Sequence, residues 1–430
     1  RDLRRMSARS DAQRVVVTGM RATTPVGNSV EESVAGLRAM RSGIRFMPEW
    51  DKVTDMLGRL GATVEGLDFE ALYSRKKRRT MGRVAMLAVH AAEQAVTQAG
   101  LGAEELRSPR VGVAFGSTSG SGSETEAFSM PLVTNNNMKG LESNSYFRLM
   151  THTCAVNVGH VFRVQGRVES TCSACTSSSQ AIGRGYELIR AGVQDVMICG
   201  GAEEMHYMSG VTFDLLMATS HKYNERPTES PRPFDKARDG LVIGEGGGAL
   251  VLESLAHAKA RGAHILAEVL GYASNCDGAH LTAPDKRGMQ RVMELALADA
   301  ELNPAAVDYV CAHGTGTDIG DVAESSATWE VFQRAVPFAS LKGYVGHTLG
   351  ACGAIEAAWC LAMMRDGFMA ANKNLTELDP ACAQGLDYVT SVREERPRIV
   401  MTNNFAFGGI NTSILLGPAP GSAESEAARA

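Results

Sequence analysis

The segment from residue 169 to residue 200 restricts the possible folds more than any other part of the chain. Small polar residues surround Cys175, and after them apolar side chains recur at helical spacing at Ile182, Tyr186 and Ile189. The segment ends in a short apolar run of the kind that forms buried strands. This order predicts a βαβ unit and therefore a layered α/β fold.

The alternation of strands and helices continues over most of the chain. Strand patterns occupy residues 14–19, 110–116, 247–253, 265–271, 307–312, 399–402 and 412–416, and helical patterns occupy 84–99, 286–300 and 322–336. The two halves have a similar rhythm and meet near residue 260. We therefore expect a duplication, which the weak self-similarity of the sequence does not establish by itself.

Composition limits the class of protein. The chain has 430 residues, of which 44% are hydrophobic, and this suffices for a large core in two domains or in a duplicated one. The net charge of −5 gives no general attraction to nucleic acid or to acidic membranes, so an acidic partner would need a local basic patch. Nine cysteines show no disulfide rhythm, and we find neither a signal-peptide pattern nor an apolar run that could span a membrane. These features predict a cytoplasmic protein.

The two ends of the chain differ from the rest. Residues 1–13 precede the first strand pattern and are predicted to be a flexible arm or the remnant of a tag. Residues 418–430 consist mostly of small and charged residues and predict a solvated, flexible tail.

Cys175 is a candidate nucleophile because it lies at the predicted N-terminal end of a helix. The helix dipole and the free N–H groups at that end favour a thiolate. Nucleophilic catalysis also needs a base and an oxyanion site from elsewhere in the chain. Cys172 lies three residues earlier, and this spacing also suits a redox pair or half of a zinc site. No second pair with zinc-ligand spacing accompanies it, so we expect no metal.

Two histidines lie in glycine-rich settings that suit a pocket. His313 follows a strand pattern and precedes Gly314, whereas His347 follows Gly346 and precedes an apolar helical pattern. A backbone this bare allows a ligand or another segment to approach closely. Two packed core histidines are the alternative.

The segment 403–411 contains Phe-Gly-Gly between two strand patterns. A turn of this kind can direct a backbone N–H group into a pocket, or it can be an ordinary hairpin. The spacing fits both interpretations equally well.

Five motifs in order resemble those of a known family. They are residues 174–177, residues 232–246, residues 313–317, Lys342 with residues 346–351, and residues 404–411. Together they resemble the elongating β-ketoacyl-acyl carrier protein synthases of the thiolase superfamily, from about residue 14 to residue 416. The resemblance implies an α/β, thiolase-like duplicated αβαβα five-layer fold. Its N-terminal half, residues 14–262, would carry the nucleophile, and its C-terminal half, residues 263–417, would carry both histidines.

The resemblance implies an acyltransferase that performs a decarboxylative Claisen condensation. A triad of Cys175, His313 and His347 would hold an acyl group on the cysteine and condense it with malonyl-acyl carrier protein, giving 3-oxoacyl-acyl carrier protein. The phosphopantetheine arm belongs to the acyl carrier protein, so we expect no cofactor on the enzyme itself. The family implies a homodimer, or a heterodimer with a chain-length-factor-like subunit. Both fatty-acid synthesis and a polyketide or polyene pathway are compatible with the motifs.

Supporting roles also follow from the family pattern. The oxyanion hole is assigned to the backbone N–H groups of Cys175 and Phe407. Lys342 and Glu324 are expected to form a buried pair that supports the histidines, with a surface salt bridge as the alternative. Thr315 and Thr317 are expected to hydrogen-bond the pantetheine arm, to cap their turn, or to do both. The residues expected to line or gate the acyl and pantetheine pocket are Phe213, Phe405, Phe407 and Gly408.

Three positions depart from the family pattern. Ala406 stands in place of a glycine, Gly316 in place of a serine, and Asp318 in place of a proline. We expect these changes to affect loop flexibility and acyl specificity, because a methyl group at residue 406 restricts φ. The triad residues themselves are unchanged.

A basic run is the candidate docking surface for the acidic acyl carrier protein. It consists of Arg75, Lys76, Lys77, Arg78 and Arg79, together with Arg83. A solvated surface or a nucleic-acid site would also fit the charge alone. The acidic chain around it carries no nucleic-acid motif, so we expect neither nucleic acid nor a membrane as a partner.

Two rival functions lie within the same superfamily. A thiolase that uses coenzyme A usually has a second catalytic cysteine near the C-terminus, but residues 404–409 contain none. A non-catalytic partner subunit would lack the nucleophile, whereas the triad here is complete.

Overall fold

The computed structural model describes residues 9–422. The strands are β1 (Val15–Thr23), β2 (Arg45–Phe46), β3 (Leu60–Ala62), β4 (Val111–Gly116), β5 (Val168–Thr171), β6 (Val196–Glu203), β7 (Ile243–Gly244), β8 (Gly246–Ser254), β9 (Ala267–Cys276), β10 (Tyr309–Ala312), β11 (Pro337–Ser340), β12 (Asp387–Tyr388), β13 (Val400–Ala406) and β14 (Ile410–Pro418).

The α-helices connect and cover these strands. They are α1 (Val30–Arg38), α2 (Phe69–Leu72), α3 (Arg75–Arg78), α4 (Arg83–Ala99), α5 (Ala103–Leu106), α6 (Gly122–Asn135), α7 (Ser145–Leu149), α8 (Thr153–Phe162), α9 (Ser177–Arg190), α10 (Tyr207–Leu215), α11 (Leu255–Ala260), α12 (Lys286–Ala300), α13 (Asp318–Phe332), α14 (Lys342–Val345) and α15 (Cys352–Asp366). None of the described helices is long and apolar enough to cross a membrane.

The main sheet contains the same topology twice. Its strand order is β12-β11-β10-β13-β14-β9-β1-β8-β6-β4-β5. Starting from β1, the first half has its five strands in the order first, fifth, fourth, second, third. The second half has one additional strand, the two-residue β12 at the edge of the sheet, and without it the order starting from β9 is the same. The strand directions also agree. In both halves the first strand pairs antiparallel with the fifth, and the fifth pairs antiparallel with the fourth. The fourth strand then pairs parallel with the second, and the second pairs parallel with the third. The expected duplication is therefore confirmed.

The halves meet where β1 pairs with β9. Val15 to Val17 pair antiparallel with Val269 to Ala267. A separate small sheet has the order β2-β3-β7.

Two central helices separate the two halves of the sheet. Helix α9 contacts β4, β6 and β8 on one side and β9 and β14 on the other, and α15 contacts strands of both halves as well. In α15 every residue from Cys352 to Met364 is buried, as expected for a helix covered on all sides. Helices α4 and α8 cover the outer face of the first half, and α12 and α13 cover the second. This arrangement confirms the αβαβα five-layer fold.

Several element boundaries differ from those predicted. Helix α12 coincides with the predicted range, but α13 begins at Asp318 and ends at Phe332, four residues before the pattern 322–336 at each end. Polar residues in its first turn hid this start, because they break the apolar periodicity. Helix α6 begins at Gly122, within a segment whose small polar residues give no helical pattern.

The two chain ends are more ordered than predicted where they are described. Arg9 Nη1 donates to Leu270 O at 2.9 Å, and Lys259 Nζ lies 2.7 Å from Asp11 Oδ2, so residues 9–13 pack against the body and are not a free arm. Strand β14 includes Pro418, which pairs with Ala267. The remaining parts of the predicted arm and tail, residues 1–8 and 423–430, lie outside the described residues.

Candidate active site

Cys175 lies between the end of β5 and the start of α9. It belongs to a 3-10 turn, Ala174–Thr176, directly before the helix. Ala174 has φ +48°, a conformation that strains a residue with a side chain. The thiol is buried, with 6% of Cys175 exposed. The structure thus places Cys175 at a helix N-terminus, as predicted, in a turn under local strain.

The structure brings His313 and His347 to the same thiol. His313 follows β10 directly, and His347 lies in the connection between α14 and α15. His347 Nε2 is 2.9 Å from Cys175 Sγ. The two imidazole rings are 5.1 Å apart between centroids and nearly perpendicular, at 88°. One ligand-capable atom from each of the three residues lies within 4.8 Å of the others, so a thiophilic metal ion would compete for the same three atoms.

Burial keeps the resting thiol protonated. It raises the pKa of Cys175 to about 12, whereas Lys342 and the backbone N–H groups of Cys175 and Phe407 act in the opposite direction. Desolvation of the charged form thus opposes the helix terminus, which favours a thiolate. The two N–H groups that stabilise negative charge on Sγ are the same two that the family pattern assigns to the oxyanion hole.

Both histidines are neutral at physiological pH. Burial, reinforced by the charge of Lys342, lowers the pKa of His313 and of His347 well below the usual value. Within the described residues, Nδ1 of neither ring has a hydrogen-bond partner. Neutral rings can donate an N–H group to a developing negative charge without adding a positive charge to the site.

Lys342 pairs with a different carboxylate from the one predicted. Its Nζ lies 2.6 Å from Glu356 Oε1, and both side chains are buried. Asn404 Nδ2 donates to Glu356 Oε2 at 2.7 Å, and Ser179 Oγ lies 2.5 Å from Asn404 Oδ1. The expected pair of Lys342 with Glu324 is thus wrong as a hydrogen-bonded pair, because Glu356 on α15 lies closer to the ammonium group.

Glu324 supports the site through the backbone instead. Its two carboxylate oxygens accept the N–H groups of His313 and Gly314, each at 2.7 Å. These bonds fix the loop that carries the first histidine. Burial outweighs them and raises the pKa of Glu324 to about 8.

A cavity of about 380 Å³ leads to the triad. The predicted residues Thr315, Thr317, Phe213, Phe405 and Phe407 line it. Thr315 and Thr317 hydrogen-bond each other through their hydroxyls at 3.0 Å. Thr317 is the N-cap residue of α13 but its side chain caps no N–H group, so the capping interpretation does not hold for it.

The Phe-Gly-Gly segment is a hairpin turn whose first residue faces the cavity. It joins β13 to β14, and the Phe407 ring lies 5.8 Å from the Phe213 ring between centroids. Gly408 does not line the cavity, and its N–H donates to Leu281 O at 2.7 Å. The prediction of Gly408 as a pocket residue is therefore wrong, because the turn directs it at the neighbouring loop. Ala406 lines the cavity between the two phenylalanines.

Half of the basic run is paired within the protein. Lys77 Nζ lies 2.5 Å from Glu93 Oε1, and Arg78 Nη1 lies 2.9 Å from Glu70 Oε1. Arg83 begins α4 and binds the buried Glu245 at 2.5 Å. It is therefore not free to dock a carrier protein, contrary to the prediction. Arg75, Lys76 and Arg79 are exposed and form no ion pair in the part of the chain that is described.

Sequence analysis assigned no individual role to four buried groups near the triad. They are Glu203, Glu356, Cys352 and Asn404. Cys352 Sγ donates to the carbonyl oxygen of Cys175 at 3.2 Å, and Glu203 accepts the N–H groups of Thr118 and Gly350 at 2.7 and 3.0 Å. Burial raises the pKa of Glu203 to about 7. The signal available in the sequence was a charged or polar residue inside an otherwise apolar pattern.

Cys172 is separate from the triad. It is exposed, and its Sγ contacts Thr118 O at 3.1 Å. All nine cysteines lie in the described residues and none forms a disulfide. The arrangement gives Cys175 two imidazole partners and gives Cys172 none, which disfavours the redox-pair hypothesis.

Family models match both halves of the chain. Residues 12–258 match the beta-ketoacyl synthase N-terminal domain, and residues 266–376 match the beta-ketoacyl synthase C-terminal domain. Together the matched regions cover most of the chain.

Individual relatives and solved structures agree with these models. The chain is 37% identical to the 3-oxoacyl-[acyl-carrier-protein] synthase 1 of Escherichia coli K12 over 94% of its length and 98% of that protein. A crystal structure of a beta-ketoacyl synthase from Burkholderia phymatum is 50% identical with a TM-score of 0.91, over 95% of this chain and all of that one. A further match is a solved complex of a type II polyketide acyl-carrier protein with its ketosynthase bound to the hexaketide. The matching chain is 29% identical to this one with a TM-score of 0.84, and the match covers 95% of this chain and 99% of that one. The chain therefore belongs to the β-ketoacyl synthase family of thiolase-fold acyltransferases.

Proposed function

We propose that this chain condenses an acyl group held on Cys175 with malonyl-acyl carrier protein, giving 3-oxoacyl-acyl carrier protein and carbon dioxide. The observation that carries the proposal is the 2.9 Å contact between His347 Nε2 and Cys175 Sγ, with His313 beside it. The named relatives are 3-oxoacyl-acyl carrier protein synthases, and the same elongation step fits this site.

Acylation of Cys175 comes first. Sγ attacks the thioester carbonyl of the donor, and the N–H groups of Cys175 and Phe407 stabilise the tetrahedral oxyanion. An N–H group of His347 directed at Sγ stabilises the sulfur as it loses its proton. The new thioester bond forms at Cys175, the donor thioester bond breaks, and the leaving carrier thiolate takes the proton.

Decarboxylation of the malonyl group follows in the same cavity. The bond between the carboxylate and the methylene carbon breaks, and its electron pair forms an enolate on the malonyl thioester. Neutral imidazoles at His313 and His347 donate N–H groups to the enolate oxygen. Removing one such donor typically costs about 100- to 1000-fold in rate.

Condensation completes the cycle. The enolate carbon attacks the carbonyl of the acyl-cysteine, and the same N–H pair at Cys175 and Phe407 stabilises the second oxyanion. The bond to Sγ then breaks, the product leaves on the carrier, and the Cys175 thiolate takes a proton from solvent.

The charges around the cavity favour a carrier protein over coenzyme A as the acyl donor. Among the described residues, no lysine or arginine lines the cavity. The diphosphate and 3′-phosphate of coenzyme A would therefore find no cation there. Exposed cations lie instead at Arg75, Lys76 and Arg79, which form the proposed docking surface for an acidic carrier.

The assembly we propose is a homodimer. Strand β5 ends the main sheet, so one of its edges has no partner strand in the described chain. An open edge of this kind is a site for pairing with a second copy. Exposed apolar residues on or next to α6 and α7 would add to the buried area; they are Met130, Val133, Met138, Tyr146 and Phe147. A chain-length-factor-like subunit would be the alternative partner, and the mass of the purified chain in solution distinguishes the two.

Mass spectrometry tests the proposed function. The purified chain is incubated with acyl-acyl carrier protein, digested, and searched for an acyl adduct. We expect the adduct on Cys175, and release of 3-oxoacyl product after malonyl-acyl carrier protein is added. An adduct on Cys172, or none on either cysteine, would contradict the proposal.

A further inference from the structure

The mouth of the active-site cavity is surrounded by exposed apolar side chains. The lining residues that are large, apolar and exposed are Leu216, Met217, Leu281, Ile319 and Phe407. Met217 is 91% exposed, Leu281 76% and Ile319 65%. Single exposed apolar residues are common, but several around one opening mark an interaction surface.

The backbone holds this apolar rim in place. Met217 follows α10 at φ +52°, a strained conformation for a residue with a side chain. Its N–H donates to Asp214 O at 2.8 Å, and the Asp214 carboxylate accepts N–H groups of Leu57 and Gly58 at 2.8 and 2.9 Å. The exposure of Met217 therefore results from a fixed turn.

The other two side chains come from separate elements. Leu281 lies in the loop after β9, where its carbonyl accepts the N–H of Gly408. Ile319 lies in the first turn of α13. Three elements that are far apart in the sequence thus present apolar groups at one opening, although none of these side chains gains stability there by burial.

We infer that this apolar rim is a contact surface for the acyl carrier protein, and that it binds an apolar patch next to the carrier's phosphopantetheine attachment site. The inference rests on the proposed function, because the carrier must deliver its thioester to Cys175 through this mouth. With no lysine or arginine among the described lining residues, charge attraction cannot supply affinity here. The exposed carboxylate at the mouth, Asp318, would not attract an acidic carrier either. Docking thus has two components, one ionic at Arg75, Lys76 and Arg79, and one apolar at the mouth.

The test compares two donors for the same thiol. A triple variant, Met217→Ser with Leu281→Ser and Ile319→Ser, is acylated by acyl-acyl carrier protein and by the acyl thioester of N-acetylcysteamine, which has no carrier surface. We expect the half-saturating concentration of the carrier donor to rise about tenfold, as for loss of one well-buried interface side chain. The rate with the small thioester should stay within about twofold of the parent.

Leu57→Ser is the matched control, since Leu57 is 61% exposed, lies near Asp214 and does not line the cavity. This control substitution should leave acylation by both donors unchanged. Unchanged carrier affinity in the triple variant would overturn the inference. An equal loss of acylation efficiency with both donors would also overturn the inference, because the rim would then act on the substrate inside the cavity.

The oligomeric state distinguishes a carrier protein on the rim from a second copy of this chain. If the triple variant loses a dimer that the parent forms, the rim is covered by a second copy and the inference fails. Failure of the proposed function has a different result, because the parent chain itself would then acquire no acyl group on Cys175 from either donor. Raising the salt concentration should weaken carrier binding by a similar factor in the parent and in the triple variant, since the ionic contacts at Arg75, Lys76 and Arg79 are the same in both.

Discussion

The two halves of the molecule have the same sheet topology and contribute different chemistry. In the N-terminal half the third strand, β5, leads into the central helix α9, and Cys175 lies in the turn between them. In the C-terminal half the third strand, β11, leads to the central helix α15, and His347 lies in that connection. The 2.9 Å contact of Sγ with Nε2 therefore joins two equivalent connections of a repeated fold.

The second strands extend the comparison. Ser117 follows β4 directly, and its hydroxyl donates to the buried Glu203 at 3.1 Å. His313 follows β10 directly, and its N–H donates to the buried Glu324 at 2.7 Å. Each half thus holds this loop with a buried carboxylate, but only the C-terminal half carries an imidazole there. The difference shows how a duplicated scaffold divides nucleophile and hydrogen-bond donors between two matched sites.

Removal of the nucleophile separates the contributions of the two halves most strongly. Cys175→Ala should abolish condensation, because no thiol remains to hold the acyl group. Decarboxylation of malonyl-acyl carrier protein should persist, since both imidazoles belong to the other half. Release of labelled carbon dioxide, measured beside product formation, checks both expectations. A folded variant without decarboxylation would contradict the division of roles.

The two histidines should differ in one respect only. His313→Ala and His347→Ala should each lower the decarboxylation rate about 100- to 1000-fold, because each removes a donor to the enolate oxygen. Only His347 contacts Sγ, at 2.9 Å, so only its replacement should also change the rate at which iodoacetamide alkylates Cys175. Alkylation kinetics on both variants measure this. An equal effect of both substitutions on alkylation would contradict the assignment.

Cys175, His313 and His347 could each be recognised as candidates because their signals are local, whereas their grouping as a triad and the five-layer fold followed from the family resemblance. Cys175, His313 and His347 each lie at a junction between a strand and a helix, where small residues and glycines interrupt the apolar pattern. Long amphipathic helices such as α12 were predicted to the residue, since both their apolar face and their ends leave a pattern. The duplication needed the sheet order, because strand pairing over long sequence distances leaves no periodic signal.

The pairing of buried charges was not predictable for the same reason. Glu324 on α13 and Glu356 on α15 are both buried acids near the site, and only packing decides which one reaches Lys342. Arg83 belongs to the basic run by sequence but binds Glu245, which is 162 residues away. The ionisation state of Cys175 depends on desolvation, which is a property of the assembled core.

A double-mutant cycle tests which carboxylate is the partner of Lys342. Lys342→Met leaves Glu356 buried without its partner and should cost about 3–5 kcal/mol of unfolding free energy. Lys342→Met combined with Glu356→Gln should recover part of that loss, because no unpaired charge remains. The corresponding cycle with Glu324→Gln should show a smaller coupling, since no hydrogen bond joins the two groups. Chemical denaturation of the five variants and the parent gives both coupling energies, and a larger value for Glu324 would reverse the assignment.

The smallest expected effect compares the buried carboxylates of the two halves. Burial raises the pKa of Glu203 to about 7 and that of Glu324 to about 8. A carboxyl group whose pKa is raised by folding binds its proton more tightly in the folded state, so its contribution to stability is lost as pH rises towards the folded pKa. Between about pH 5 and 8 these two carboxyl groups therefore each contribute a fall in the apparent Tm with rising pH. The lowered pKa values of His313 and His347 act in the opposite direction, so the contribution of each carboxyl is read from the difference between variant and parent.

Glutamine variants separate the two carboxylates. Glu203→Gln should flatten the fall in Tm below about pH 7, and Glu324→Gln should flatten it up to about pH 8. Each change should be about 1 to 3 °C over the range for a chain of this size. Both substitutions also disturb a carboxylate that accepts two backbone N–H groups, so the absolute Tm should drop at every pH and only the slope is diagnostic. If neither slope changes, other groups cause the pH dependence of Tm. The two halves then do not hold their loops with protonated carboxyl groups.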